Sequence, residues 1–186
     1  SDLTSFTVHA DQTTNYGISD FMAASKSDVL PSVNSISMIF KHMLTKLVIN
    51  VTNETNLDIS SIVLKGSVPT ANINLATMKT TVNESATATD ITAQQVTKNK
   101  TFRAIVVPQT AAFTLATSDN NTLMQKLVST DLVQGGQYSV NIRVLPDNII
   151  VTLSGEIENW TDEGEIKGDE PEVPFEEHDG YFIYDG

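Results

Sequence analysis

In a chain of 186 residues, 40% of them hydrophobic, there is material for one core with appendages or at most two small domains, which excludes wholesale disorder. The formal net charge of -12 is concentrated at one end: residues 156–186 carry 12 Asp and Glu against one Lys, leaving 11 acids and 10 Lys or Arg for residues 1–155. A nearly neutral body with an acidic tail and no basic cluster repels phosphate backbones, which excludes nucleic acid as a partner.

From the start of the chain, residues 5–9 read as a short strand, followed by a polar turn at residues 11–15. In residues 14–31 (TNYGISDFMAASKSDVLP), Phe21 to Ala24 fit one helical turn capped by Ser19 or Asp20, or a packed loop. Gly17 and Pro31 bracket the segment and no periodicity persists, so a loop docked on the body is expected. Residues 37–52 (SMIFKHMLTKLVINVT) are the longest run of bulky apolar and β-branched side chains. Ile36, Ile39, Phe40, Met43, Leu44 and Leu47 fit a helical stripe, yet Ile36, Met38 and Phe40 alternate as a strand, and so do Leu47, Ile49 and Val51. The β-branched ending LVINVT decides for two strands joined by a bulge or short turn near residues 44–46.

Residues 57–64 (LDISSIVL) read as a strand closed by Lys65 and Gly66, residues 72–78 as a weaker one, and residues 80–89 as a polar loop. Residues 101–107 (TFRAIVV) carry apolar side chains on both faces, the pattern of a strand buried twice, and Pro108 ends it by removing a ladder donor. A strand is expected at residues 112–116. Residues 123–132, with Leu123, Met124, Leu127 and Val128, fit a short helix or an edge strand. After Gly135 and Gly136, Tyr138, Val140, Ile142 and Val144 alternate with Ser139, Asn141 and Arg143, so one face is core and the other wet. Pro146, Asp147 and Asn148 make a turn, residues 149–153 return, and residues 155–160 are expected to leave the sheet. Seven to nine such strands define an all-β sandwich over residues 32–160. Residues 1–31 form an N-terminal segment, the expected remnant of a preceding domain. Residues 161–186, punctuated by Gly164, Gly168, Pro171 and Pro174, have the composition of a linker.

Little of this carries chemistry. Without cysteine there is no disulfide, thiolate site or Cys nucleophile, which favours a bacterial surface protein or a cytosolic one. His9, His42 and His178 lack metal-ligand spacing; His42 is read as structural and His178 as a solvated tail residue. There is no GxSxG elbow, and the acidic run at residues 162–170 lacks the order of a calcium loop. No catalytic, cofactor-binding or metal-binding residue is assigned, and an enzyme is not expected. The Asn-x-Ser/Thr sequons at Asn50, Asn53, Asn83, Asn120 and Asn159 follow from composition. No apolar run approaches the roughly 18–20 residues of a membrane span. No signal peptide is visible, and a chain opening on Ser1 is expected to have lost a leader. Tyr16, Tyr138, Trp160, Tyr181 and Tyr184 are the aromatics available for stacking on sugars. One apolar cluster stands out in the tail: Tyr181, Phe182, Ile183 and Tyr184, a β-prone tetrapeptide behind a charged linker. Either it folds back on its own domain or it supplies a strand to another molecule's sheet edge.

Several pieces together resemble the fimbrillin-like surface proteins of Bacteroidales, the subunits of type V pili. They are DFMAA at residues 20–24, IFKHMLTK followed by LVINV at 39–51, AIVVPQT at 104–110, GQYSV at 136–140 and IENW at 157–160. The resemblance implies transthyretin-like Greek-key β-sandwich domains and export as a lipoprotein to the outer membrane or fimbrium. It also implies assembly by strand exchange, with other pilus subunits as partners and host or bacterial surfaces as adhesion ligands. A membrane link would then run only through a lipid anchor, which this chain lacks. In the family, cleavage after an Arg removes an N-terminal strand and a neighbour's C-terminal segment fills the groove. Here the only arginines, Arg103 and Arg143, lie inside predicted strands and make poor cleavage sites. Two functions follow: a structural or adhesive pilus subunit with Tyr181, Phe182, Ile183 and Tyr184 as the exchanged strand, or a surface glycan-binding module using Trp160.

Overall fold

The computed structural model describes residues 3–27, 36–56, 58–109, 113–119, 122–128 and 130–160. In chain order the described strands are β1 (Leu3–Thr7), β2 (Met22–Ala23), β3 (Lys41–His42), β4 (Thr45–Asn53), β5 (Ser61–Ser67), β6 (Thr70–Asn74) and β7 (Lys79–Val82). They continue with β8 (Thr89–Thr92), β9 (Gln94–Thr97), β10 (Thr101–Val106), β11 (Phe113–Asp119), β12 (Thr122–Val128), β13 (Gly136–Leu145) and β14 (Asn148–Asn159). One 3₁₀ turn, Gly17–Ser19, lies between β1 and β2, and there is no α-helix among the described residues.

Alternation in β4 sets the architecture. Thr45, Leu47, Ile49 and Val51 are buried while the residues between them face outward. β13 runs parallel to β4 and sets Tyr138, Val140 and Ile142 beside Leu47, Ile49 and Val51. On the other side β10 is antiparallel, with Phe102 beside Ile49 and Ala104 beside Leu47. Three neighbouring strands therefore turn their apolar sets to one face. Burying each such Leu, Ile or Phe contributes about 1.5–3 kcal/mol. The sheet has the order β14-β13-β4-β10-β9, and the second sheet β12-β11-β5-β8. Ile62 and Leu64 of β5 and Ile91 of β8 join the same buried cluster, which makes the molecule a β-sandwich. A three-stranded sheet, β1-β6-β7, and the short ribbon β2-β3 extend it. Five and four strands in the two main sheets match the upper end of the expected seven to nine.

Several boundaries differ from the sequence reading, each for a physical reason. Residues 37–40 are not a strand: Met38, Ile39 and Phe40 lie outside any ladder and face solvent. Pairing begins only at β3, and Met43 and Leu44 form the break before β4. Lys65 and Gly66 do not close β5. Gly66, at φ +79°, forms a bulge against β8 through which the strand continues to Ser67. The supposed strand at residues 72–78 and loop at 80–89 are instead a hairpin, β6 turning into β7, with Met78 in the left-handed region at φ 54°. The short strands β8 and β9 occupy residues without apolar alternation. Of the two forms left open for residues 123–132, residues 123–128 take the edge strand, as the sequence reading allowed. β14 does not leave the sheet after residue 155. Its register shifts between the pairs Gln137–Glu158 and Ser139–Ser154, so residues 155–157 bulge opposite Tyr138 before pairing resumes.

Three glutamine side chains finish backbone that no strand pairs. A primary amide offers the same donor and acceptor as a peptide unit. The fully buried Gln12 donates from Nε2 to the Ile105 carbonyl at 2.7 Å and accepts from the Ile105 N–H at 2.8 Å. Gln109 does the same for Val68, at 3.3 Å on both sides. Gln134 accepts from the Thr80 N–H at 2.8 Å and donates to the Met78 carbonyl at 3.0 Å. Gln12 fixes the N-terminal segment to the body, helped by bonds from Val8 N to Pro69 O and from Gln12 N to Thr92 O.

Candidate functional site

A cluster of ring, hydrogen-bond and backbone contacts lies where β14 ends. Trp160 donates its N–H to Gly135 O at 3.0 Å, and Gly135 donates to Leu44 O at 2.9 Å, which ties the exit of β14 to the start of β4. Its indole stacks on His42, ring centroids 3.6 Å apart and planes inclined by 3°. Lys46 Nζ stands over the same indole at 5.7 Å. His42 belongs to β3, which pairs with β2, and its Nδ1–H donates to Asp20 Oδ2 at 2.8 Å. Met43 N–H donates to Phe21 O at 2.9 Å. The N-terminal segment, the central stretch and the end of the sandwich thus meet at Asp20, His42, Lys46 and Trp160. Gly135, at φ +69°, allows the approach, because a Cβ there would meet His42 O at 3.3 Å.

A cleft of about 340 Å³ beside the stack is lined by Phe40, Lys41, His42, Gln134, Gly135 and Trp160. His42 and Asp20 have the spacing of the base and its orienting acid in a triad, but none of these lining residues carries a hydroxyl or thiol to activate. The imidazole is 4% exposed and lies under the indole. The pair acts as a clamp, in agreement with the structural role expected for His42. Just before β3, Ile36, Met38, Ile39 and Phe40 are 54%, 47%, 78% and 59% exposed. Among the described residues, His, Asp and Glu side chains nowhere gather in threes suited to a metal ion, and no helix is long and apolar enough to cross a membrane.

Of the residues singled out above, Tyr181, Phe182, Ile183 and Tyr184 lie outside the described residues, as do His178 and the acidic run at 162–170. Arg103 and Arg143 are in strands, as expected: Arg103 spans the Tyr16 ring at 3.9 Å and bonds Gln94, and Arg143 pairs with Glu54. Of the aromatics considered for sugar stacking, the three among the described residues, Tyr16, Tyr138 and Trp160, are engaged within the body. Tyr16 is buried under Arg103, the Tyr138 hydroxyl donates to Asp131 O and accepts from Val133 N, and one face of Trp160 is covered by His42. Sequence reasoning missed the Asp20–His42–Trp160 cluster, since no local spacing links three such distant positions. The available signal was that each lies in a different one of the motifs carrying the family resemblance.

Fold and cluster together describe a β-sandwich in which the end of β14 is fastened by the Trp160 contacts. The fimbrillin-like family model matches residues 1–160, and the chain belongs to that family. A crystal structure of a candidate cell adhesion protein from Bacteroides uniformis has a similar fold. It shows TM-score 0.71 and 22% identity over 86% of this chain and 67% of that one. A second candidate cell adhesion protein, from Bacteroides ovatus, has TM-score 0.71 and 20% identity over 88% of this chain and 62% of that one. The likeness is one of fold, and the chain spans about two thirds of the length of these structures. No curated protein matches it significantly. Family membership supports a fimbrial or adhesive subunit at the cell surface.

Proposed function

We propose that this chain is a structural subunit of a bacterial fimbria, joined to its neighbours by strand exchange, with Tyr181, Phe182, Ile183 and Tyr184 as the donated strand. The observation that carries the reading is the fixed exit at Trp160, within a chain of the fimbrillin-like family. The tail starts from a clamped point, so pull on it is passed through Trp160, Gly135 and Leu44 into β4, the middle strand of its sheet. Residues 161–180 extend at most about 65–70 Å, against a radius of gyration of about 15 Å for a body of this size. At full extension that spacer is long enough to carry the tetrapeptide past its own domain to a neighbour. An edge strand offers unpaired N–H and C=O groups, and alternate Tyr, Phe, Ile and Tyr side chains would give specificity. Its place is the cell surface or the fimbrium, with other subunits of its kind as partners and no catalysis.

Deleting residues 180–186 tests this. Multimers seen with the intact chain by light scattering after gel filtration should be absent from the truncated chain, which should keep its β-sheet circular dichroism. Multimers that persist without those residues would contradict the proposal.

A further inference from the structure

The exposed residues 36–40 beside the Trp160 cleft are a poor surface to leave in water. Ile36, Met38, Ile39 and Phe40 form a run of large apolar side chains, and Phe40 lines the same cleft as Trp160. Basic side chains border it. Lys26 Nζ donates to Ser37 O at 3.1 Å, Lys41 lines the cleft and Lys46 stands over Trp160. The chain beyond Trp160 starts at this patch. It holds 10 acids and one Lys in residues 161–186, and its apolar tetrapeptide follows a spacer of 20 residues, 161–180. Where the tail begins, how far it reaches, its charge and its apolar end all match this surface.

We infer that residues 36–40 and the adjoining cleft are the docking site for the chain's own Tyr181–Tyr184, held in cis before assembly. This rests on the reading of the tail as a donor segment and adds a regulation to it. An unpartnered monomer shields both its apolar tail and its apolar patch, and donation requires release. Tethering raises the effective concentration of the tail at the patch to the millimolar range, so docking in cis prevails over pairing between dilute molecules. The acidic spacer beside Lys26, Lys41 and Lys46 adds a salt-sensitive contribution.

The chain has no cysteine, so two can be introduced cleanly. Ser37→Cys with Gly180→Cys reports docking. Asp147→Cys with Gly180→Cys is the control, since Asp147 lies in the β13–β14 turn at the opposite end of the sheet from Trp160. At low micromolar protein, a short bis-maleimide should close the Ser37 pair within single molecules about tenfold or more faster than the control pair. Serine at Tyr181, Phe182 and Ile183, or at the exposed Ile39 and Phe40, should bring the two rates together. Equal rates in the unsubstituted tail, rates indifferent to these substitutions, or cross-links found only between molecules would overturn the inference. Multimer formation by the cysteine-free chain is scored separately. Fast cis closure without tail-dependent multimers leaves the docking standing and removes the proposed function, and tail-dependent multimers with equal closure rates do the reverse.

Discussion

His42 and Trp160 lie plane to plane, 3.6 Å between ring centroids and 3° from parallel, joining the ribbon before β4 to the last residue of the sandwich. Through Asp20 the same imidazole holds the N-terminal segment, so one side chain links that segment to the exit of β14. An aromatic pair of this kind adds about 0.5–1.5 kcal/mol beyond the area it buries. Trp160→Ala should lower unfolding stability by about 2 kcal/mol, and a double-mutant cycle with His42→Ala should show coupling of about 1 kcal/mol. Denaturant titration measures both. The sole tryptophan makes its fluorescence specific to this site, and His42→Ala should shift the emission to the red. Additive effects with no coupling would mean the stack holds nothing.

Gln12 makes a sharper test, because its amide meets both backbone groups of one residue, Ile105. Gln12→Glu keeps the shape but turns a carboxylate oxygen toward the Ile105 carbonyl, where the amide had a donor. Gln12→Met leaves both backbone groups buried and unsatisfied, at about 1–3 kcal/mol for each. Both variants should lose at least about 2 kcal/mol in urea titration, and the Ile105 amide should exchange faster with deuterium in Gln12→Met. A neutral Gln12→Met would show that the bridging amide is dispensable.

Gly135 sits at positive φ with His42 O 3.3 Å from any added Cβ. Gly135→Ala should cost about 1–3 kcal/mol, and Gly135→Val more, since a β-branched residue tolerates that backbone least. Gly17→Ala, at a position with open space and no positive φ, is the control and should change stability by less than about 0.5 kcal/mol in the same thermal melts.

Acid should weaken the fold through three surface carboxylates. Hydrogen bonds from the Thr13 hydroxyl and N–H hold Asp11 below its ordinary range, the Arg143 guanidinium does so for Glu54, and the Lys98 ammonium followed by Asn99 does so for Asp58. A folded pKa below the unfolded one means that the charged form favours folding. That contribution is complete above the ordinary carboxylate range, near pH 4–4.5, and is lost as pH falls through the lowered folded values. The melting temperature attributable to these groups should be flat from pH 7 to about 5 and drop below about 4. Molar salt should blunt the part due to the two ion pairs. Replacing Asp11 and Asp58 by Asn and Glu54 by Gln should flatten the acid limb. An unchanged acid limb would mean other carboxylates control it.

The parts of the fold legible in sequence were those where one face is dry and the other wet. Tyr138, Val140, Ile142 and Val144 alternate because β13 is packed on one side only, and Leu47, Ile49 and Val51 do so in β4. Pattern misled where apolar residues are not buried: Met38 and Phe40 have the period of a strand but project into solvent. It was silent for β7, where the buried inward residue is Thr80, a polar side chain no periodicity marks. It also placed breaks at Gly66 and after Gly155, because a glycine that makes a bulge and one that ends a strand look alike in sequence. The clamp of Asp20, His42 and Trp160 depends on contacts between remote positions, which only the folded register brings together.

Backbone hydrogen exchange at Tyr181, Phe182, Ile183 and Tyr184 in multimers of the intact chain tests the strand-exchange account most directly. If these residues lie in a neighbour's sheet, their amides should exchange at least about a hundredfold more slowly than in the free peptide GYFIYDG, since exchange then requires opening of a paired strand. Multimers whose tail amides exchange at the free-peptide rate would mean that the subunits are joined some other way.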